Sequence, residues 1–299
     1  MTLVNAFTVD VEDYFHVSAF ESHIDRSDWE CYPSRVDQNT RRILDLLAKH
    51  NVRGTFFVLG WIADRMPELV KEIQAAGHEI ASHSYWHRLI YQLGPAAFQE
   101  DVRRSKELLE DITGQAITVF RAPSFSITKK SKWALEILAA EGFQIDTSIF
   151  PIFHDRYGIP GAPSEIHQVH TPSGSLWEFP PSVVRYGWWN LPVSGGGYFR
   201  LYPGKWTVKW LGRINTKERR PFAFYIHPWE LDPDQPRLKV GSWVSQWRHY
   251  LNLSSTERKL TELLGQFSFG TVTEAITNQR RVCGEAATVK IPGRLEIEC

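Results

Sequence analysis

Two histidines, His83 and His87, stand four residues apart in the segment His83-Ser-Tyr-Trp-His87. One helical turn would bring both imidazoles to the same side. Such a pair can hold zinc or another divalent ion, with a carboxylate as third ligand and water at the open positions. Two histidines alone more often face solvent, so the reading needs an acidic partner. Asp10-Val-Glu12-Asp13 supplies one, because three carboxylates in four residues repel one another unless a cation or a proton-transfer role offsets them. Asp10 and Glu12 share a face if the strand continues, and Asp13 joins them if the chain turns after Asp10. One of the three could bind the ion while another takes a proton from its water; the spacing leaves open which.

Other reactive side chains also follow apolar runs. Arg121 comes after Ile117–Phe120, where its guanidinium could pair with a carboxylate. His227 closes the very apolar Phe222-Ala-Phe-Tyr-Ile226, and a buried imidazole there needs a hydrogen-bonding partner. Asp146, heading Asp146-Thr-Ser148, is the expected partner and would favour the protonated ring. Of twelve tryptophans, Trp61, Trp86, Trp188, Trp189 and Trp229 fall in expected loops, where flat aromatic faces suit sugar rings as well as ordinary packing. His50, His78 and His249 read as surface or satisfied core residues.

The elements that must position these groups alternate as strand and helix. Strands are expected at Ala6–Val9, Gly54–Leu59, Glu79–Ala81, Ile117–Phe120, Phe143–Ile149, Phe222–Ile226 and Phe267–Val272. Helices are expected over Arg41–His50, from Pro67 to Gly77, Pro95–Thr113 closed by Gly114, Thr128–Glu141, Pro203–Arg213 and Ser254–Gln266. Repeated β-then-α units imply an α/β fold with parallel strands and right-handed crossovers. In such folds catalytic groups gather at the carboxyl ends of the strands, which is where the reactive side chains stand. The stretch 150–200 is rich in Pro, Gly and aromatics and reads as an active-site loop region. Residues 1–277 read as one catalytic barrel, and 278–299 as a tail with little pattern.

Composition narrows the partners. Lys+Arg and Asp+Glu are equal at 34 each and mixed along the chain, which argues against a nucleic-acid or membrane-surface footprint. Cys31, Cys283 and Cys299 form no CxxC pair and suit a reducing compartment. No run approaches the ~20 apolar residues of a membrane span, and the first apolar run is too short for a signal-peptide core, so a cytoplasmic location is expected.

With these motifs in family order over roughly residues 5 to 275, the sequence resembles the NodB-homology polysaccharide deacetylases, carbohydrate esterase family four. Asp10-Val-Glu-Asp13 is similar to the first acidic motif, and His83-Ser-Tyr-Trp-His87 fits the HSxxH metal motif. Arg121-Ala-Pro123, Asp146-Thr-Ser148 and Tyr225-Ile-His227 resemble the remaining ones. Asp-Val-Glu-Asp-Tyr-Phe with Glu178-Phe-Pro-Pro-Ser182 further resembles the branch associated with bacterial exopolysaccharide and exosortase systems. The resemblance implies a distorted (β/α)7 barrel that removes N-acetyl groups from an amino-sugar polymer. It also implies one divalent ion (zinc first, with cobalt or nickel as alternatives). Asp10 would be the general base, Arg121 its positioner, His83 and His87 metal ligands, and His227 the general acid. Val11 replaces the second of two adjacent family aspartates, so the metal carboxylate is Glu12 or Asp13. Ser124 replaces an aromatic residue, and a backbone N–H there could serve the oxyanion. Trp86, Trp188 and Trp229, with Ser124, are the expected substrate contacts. The implied partner is an N-acetylated glycan, and a cytoplasmic enzyme would meet it as a lipid-linked precursor at the membrane face; oligomerisation is left open. The alternatives are an amidase or cyclic-imide hydrolase on the same barrel, and an inactive glycan-binding barrel.

Overall fold

The computed structural model describes residues 3–187 and 189–282. Its strands, in chain order, are β1 Asn5–Val11, β2 Thr55–Val58, β3 Glu79–Ser82, β4 Val119–Phe120, β5 Ile145–Asp146, β6 His167–Thr171, β7 Gly174–Glu178, β8 Val183–Tyr186, β9 Trp189–Pro192, β10 Ala223–Ile226 and β11 Phe269–Gly270. The main sheet runs β10-β1-β2-β3-β4-β5-β7-β6, with β11 also on β1, and a separate hairpin pairs β8 with β9. Every pairing in the main sheet is parallel except β6–β7. Helices Val36–Lys49, Pro67–Ala75 and Pro95–Thr113 cross between successive strands, as the α/β pattern requires. This is the distorted (β/α)7 barrel type.

The two-residue period of the strands sorts the side chains into two cores. Phe7, Val9, Phe56, Val58, Phe120, Phe224 and Ile226 belong to the large core with the surrounding helices. The alternate positions Ala6, Phe57, Ala81, Val119, Ile145 and Ala223 form a second core inside the curl, with Val272, Ala275 and Ile276 of the last helix. One step further along the same strand faces come Thr8 and Asp10, His83, Arg121, Thr147, Tyr225 and His227. The interior is thus apolar at one end and polar at the carboxyl ends of the strands.

The differences from the sequence reading are local. The 150–200 stretch holds two hairpins and the helix Gly196–Leu201; β6 carries a short side-chain alternation that the neighbouring Pro and Gly residues obscure, and β8 carries none. The last helix, Val272–Val282, runs past the expected start of the tail at 278, driven by burial of its apolar face. Residues 283–299, with Cys283 and Cys299, lie outside the described residues. No described helix is long and apolar enough to cross a membrane.

Candidate active site

The His83–His87 segment is not helical. It leaves β3 as a loop in which Ser84 (φ 63°) and His87 (φ 51°) take left-handed conformations. Four hydrogen bonds hold that strained path. Asp101 accepts from the backbone N–H groups of Tyr85 (2.9 Å) and Trp86 (3.1 Å). The N–H groups of Gly60 and Trp61 donate to the carbonyls of Ser84 and Tyr85 at 2.8 and 3.1 Å. A Cβ on Gly60 would come within 2.9 Å of the Tyr85 Cα, so only glycine allows this approach.

The loop brings His83 and His87 to Glu12, with one ligand atom from each of the three within 4.8 Å of the others. His83 Nδ1 lies 2.9 Å from the Arg121 carbonyl. A proton on Nδ1 would leave Nε2 as a bare lone pair facing the cluster. Glu12 Oε2 lies 2.7 Å from His87 Nε2. That oxygen is nonetheless buried without an aligned hydrogen bond. Burial pushes the His83 pKa down to about 4, keeping the ring neutral. Burial acts to raise Glu12, but the surrounding imidazoles of His87, His227 and His83 outweigh it and hold the carboxylate well below its ordinary range.

Asp10 and His227 stand beside this cluster. Asp10 Oδ1 pairs with Arg121 Nη1 at 2.6 Å, and that nitrogen also reaches Thr8 Oγ1 at 2.8 Å. Arg121 Nε donates to Thr147 Oγ1 at 2.9 Å, and the guanidinium lies 4.0 Å over the Phe57 ring. Fixed at three points in a buried site, Arg121 fixes Asp10 in turn. His227 Nε2 lies 3.2 Å from Glu12 and 3.8 Å from Asp10, while Nδ1 lies 2.9 Å from Glu230. Arg200 pairs with the other Glu230 oxygen at 2.6 Å. Burial alone would lower His227, but Glu230, Glu12 and Asp10 together push it up to about 9. Glu230, buried yet held by Arg200 and His227, falls to about 2.

Two residues stand away from their expected partners. Asp13 turns away from the histidines and accepts from Tyr14 N, Ser34 Oγ, Arg35 N and Val36 N at 2.7–3.1 Å, anchoring the start of helix Val36–Lys49. Its lone pairs are occupied, and the structure groups Glu12 alone of the acidic cluster with His83 and His87. Asp146 does not reach His227. It lies beside Glu178 in the β5–β7 register and accepts from Ser148, which in turn accepts from the Ala122 N–H at 2.8 Å.

The substrate-side expectations divide. Ser124, at φ 51° and with its hydroxyl 2.6 Å from Ser18, lines a cleft of about 480 Å3 that also includes Tyr225 and Trp229. Trp229 is buried, stacked between His227 and His249. Trp86 is half-buried against Trp29 and Tyr85 and is not among the residues lining this cleft. Trp61 is buried beside His16 rather than in a loop, and Trp188 lies outside the described residues.

A family described as Polysaccharide deacetylase matches residues 28–143, and a domain of unknown function (DUF3473) matches 147–277. The Helicobacter pylori peptidoglycan deacetylase is 31% identical over 222 residues, covering 72% of this chain and 69% of that protein. This chain belongs to the polysaccharide deacetylase family. The peptidoglycan-N-acetylglucosamine deacetylase of Bacillus cereus is 36% identical over 149 residues, 46% of this chain. The chain spans only about half of that relative's own length, 53%. A crystal structure assigned to the polysaccharide deacetylases of Mycobacterium smegmatis shares the fold, with a TM-score of 0.62 at 20% identity over 99% of this chain and 95% of that one.

In this chain the three clustered side chains suit a divalent cation. Two imidazoles and a carboxylate are the donor set of an open zinc-type site, and the orphaned Glu12 oxygen against a histidine nitrogen is the contact a shared cation would relieve. Sequence reasoning missed Glu230, Arg200 and Asp101. Glu230 did carry a signal: His227-Pro-Trp-Glu230 has a Glu three residues after the strand-end His and a Pro at the first helical position, a capping-box spacing that returns the carboxylate to the His227 N–H. Asp101 sits mid-helix and Arg200 comes from a distant segment, so neither had a local cue.

Proposed function

We propose that this chain is a metal-dependent hydrolase that removes N-acetyl groups from an amino-sugar polysaccharide. The observation that carries the reading is the meeting of Glu12, His83 and His87 with Asp10 on one side and a cationic His227 on the other. A divalent ion held by the three, zinc by its preference for two imidazoles and a carboxylate, would supply Lewis acidity to the acetamide carbonyl and lower the pKa of a water. Asp10, oriented by Arg121, takes the proton of the attacking water. The Ser124 N–H is assigned to the tetrahedral oxyanion. His227 then gives its Nε2 proton to the departing sugar amine, while Glu230 holds Nδ1 and stabilises the charged ring. Acetate and a free amine result. The names of the relatives, which act on peptidoglycan and chitooligosaccharide, support a glycan substrate. The first acidic motif, the Glu178-Phe-Pro-Pro-Ser182 segment and the second family match over 147–277 support placement in the exopolysaccharide branch.

The test is acetate release from N-acetylglucosamine oligomers by the zinc-loaded protein, compared with small amides and cyclic imides. Release from oligomers that stops in chelator, and drops about 10²–10⁴-fold in Asp10→Asn, is expected. Turnover of the small amides alone, or an Asp10→Asn variant at the normal rate, overturns the assignment.

A further inference from the structure

The cleft beside His227 is electrostatically one-sided. Arg156, Arg200 and Arg248 line it, together with His154, and not one aspartate or glutamate does. Arg200 is neutralised by Glu230 behind the cleft wall. Arg156 and Arg248 are exposed and form no salt bridge among the described residues, whereas most other arginines of the fold pair with a carboxylate. Both guanidiniums act electrostatically on one ring. They help lower the His154 pKa, after burial and against the opposing charge of Asp155. Asp155 is the neighbouring carboxylate, and its oxygen lies 2.9 Å from His154 Nδ1. Around the two charges stand aromatic surfaces able to lie along a sugar, Tyr91, Tyr198 and the half-exposed Trp247. At its inner end the cleft reaches Ser124, Tyr225 and Trp229, next to the proton donor.

We propose that this cleft selects an acidic glycan, with Arg156 and Arg248 binding a carboxylate or phosphate group of the molecule whose N-acetyl group is presented to His227. A planar, permanently charged guanidinium binds either anion through paired N–H groups, and two of them lining a cleft that has no carboxylate in its lining leave a positive potential that a neutral polymer does not satisfy. The proposal rests on the deacetylase reading for the chemistry, but the anion preference has its own readout. The two sources of negative charge are an acidic sugar within the polymer and the diphosphate of a lipid-linked sugar.

Three probes separate these cases: a neutral N-acetylglucosamine oligomer, an oligomer of the same length alternating N-acetylglucosamine with glucuronate, and N-acetylglucosamine on a short-chain prenyl diphosphate. Acetate release gives kcat and KM on the zinc-loaded protein, and tryptophan fluorescence gives binding in chelator without turnover. One of the two acidic probes is expected to bind about tenfold more tightly than the neutral one, and the better of them identifies the source. In Arg156→Ala/Arg248→Ala that preference disappears, with KM for the acidic probe rising to that of the neutral one. Arg156→Lys/Arg248→Lys retains part of it, and raising the salt from 50 to 500 mM erodes it because the charges are exposed. Equal binding of all three probes, or a double variant that weakens them all alike, overturns the proposal. Arginine-dependent binding of an acidic probe without acetate release upholds the anion site and sinks the deacetylase reading. Release from all three probes at equal KM does the reverse.

Discussion

The interior of this fold holds two pairs of buried carboxyl groups, and they have opposite fates. Asp10 and Glu12 at the end of β1 are met by cationic or metal-ready nitrogen: Arg121 on Asp10, His87 and His227 on Glu12. Asp146 and Glu178, side by side on β5 and β7, receive only neutral donors, the Ser148 hydroxyl and the Ile149 N–H, and no ion pair among the described residues. Each keeps one oxygen buried without a donor. Burial pushes both members of this second pair upward, and the charge of Asp146 drives Glu178 well above the carboxylate range. One proton shared between the two is the arrangement that supplies the missing donor. The same residue types a few strands apart thus become a pair met by cations and suited to chemistry, and a pair sharing one proton and suited to holding loops in place.

The sharpest way to break the comparison is to remove a ligand from the cluster that Glu12 of the first pair forms with His83 and His87. His83→Ala or Glu12→Gln should strip the protein of bound zinc by elemental analysis and take acetate release down about 10²–10⁴-fold or more. Undiminished metal in either variant would show that the cation sits elsewhere. Next in size is Glu230→Gln. His227 must be protonated to donate, so its contribution is fully present below its pKa and is lost as pH rises through about 9. Without the Glu230 charge, the alkaline limb of kcat should move toward the ordinary histidine value of about 6.5, at a cost of about tenfold per unit at high pH. Asp146→Asn should leave that limb where it is. A limb that moves with Asp146 and ignores Glu230 would restore the partner expected from sequence.

That reversal marks where the sequence was legible and where it was not. Strand ends, the His83/His87 pair, Asp10, Arg121 and His227 could be read because each follows a short apolar run, and a parallel α/β fold sends such positions to one rim. Asp146 met the same criterion. What periodicity could not say is that β7 sets Glu178 directly beside it, since that pairing depends on a hairpin inside a stretch that looked like loop. Nor could spacing choose between Glu12 and Asp13. The choice is made by the donors at the start of helix Val36–Lys49, which saturate Asp13. Asp13→Asn should accordingly keep the metal and lose stability, by about 0.5–2 kcal/mol in denaturant unfolding, as for a lost helix cap. An Asp13 variant that is normally stable but metal-free would return the ligand role to it.

The smallest effect tests the second pair directly. A carboxyl group whose folded pKa is raised contributes stability that is fully present below its unfolded value, near 4.5, and that is lost as pH rises through the folded value. The folded protein then holds a proton that the unfolded chain has already released. In Glu178→Gln an amide takes the place of that proton, donating to Asp146 without titrating. The decline in Tm as pH rises above about 4.5 should therefore be shallower in the variant than in the parent, by on the order of a few °C. The Ile149 N–H keeps an acceptor in the amide oxygen, so the variant has no reason to lose the β5–β7 register. Parallel Tm curves for the two proteins would mean that Asp146 and Glu178 share no proton, and the contrast between the two carboxyl pairs would then need another cause.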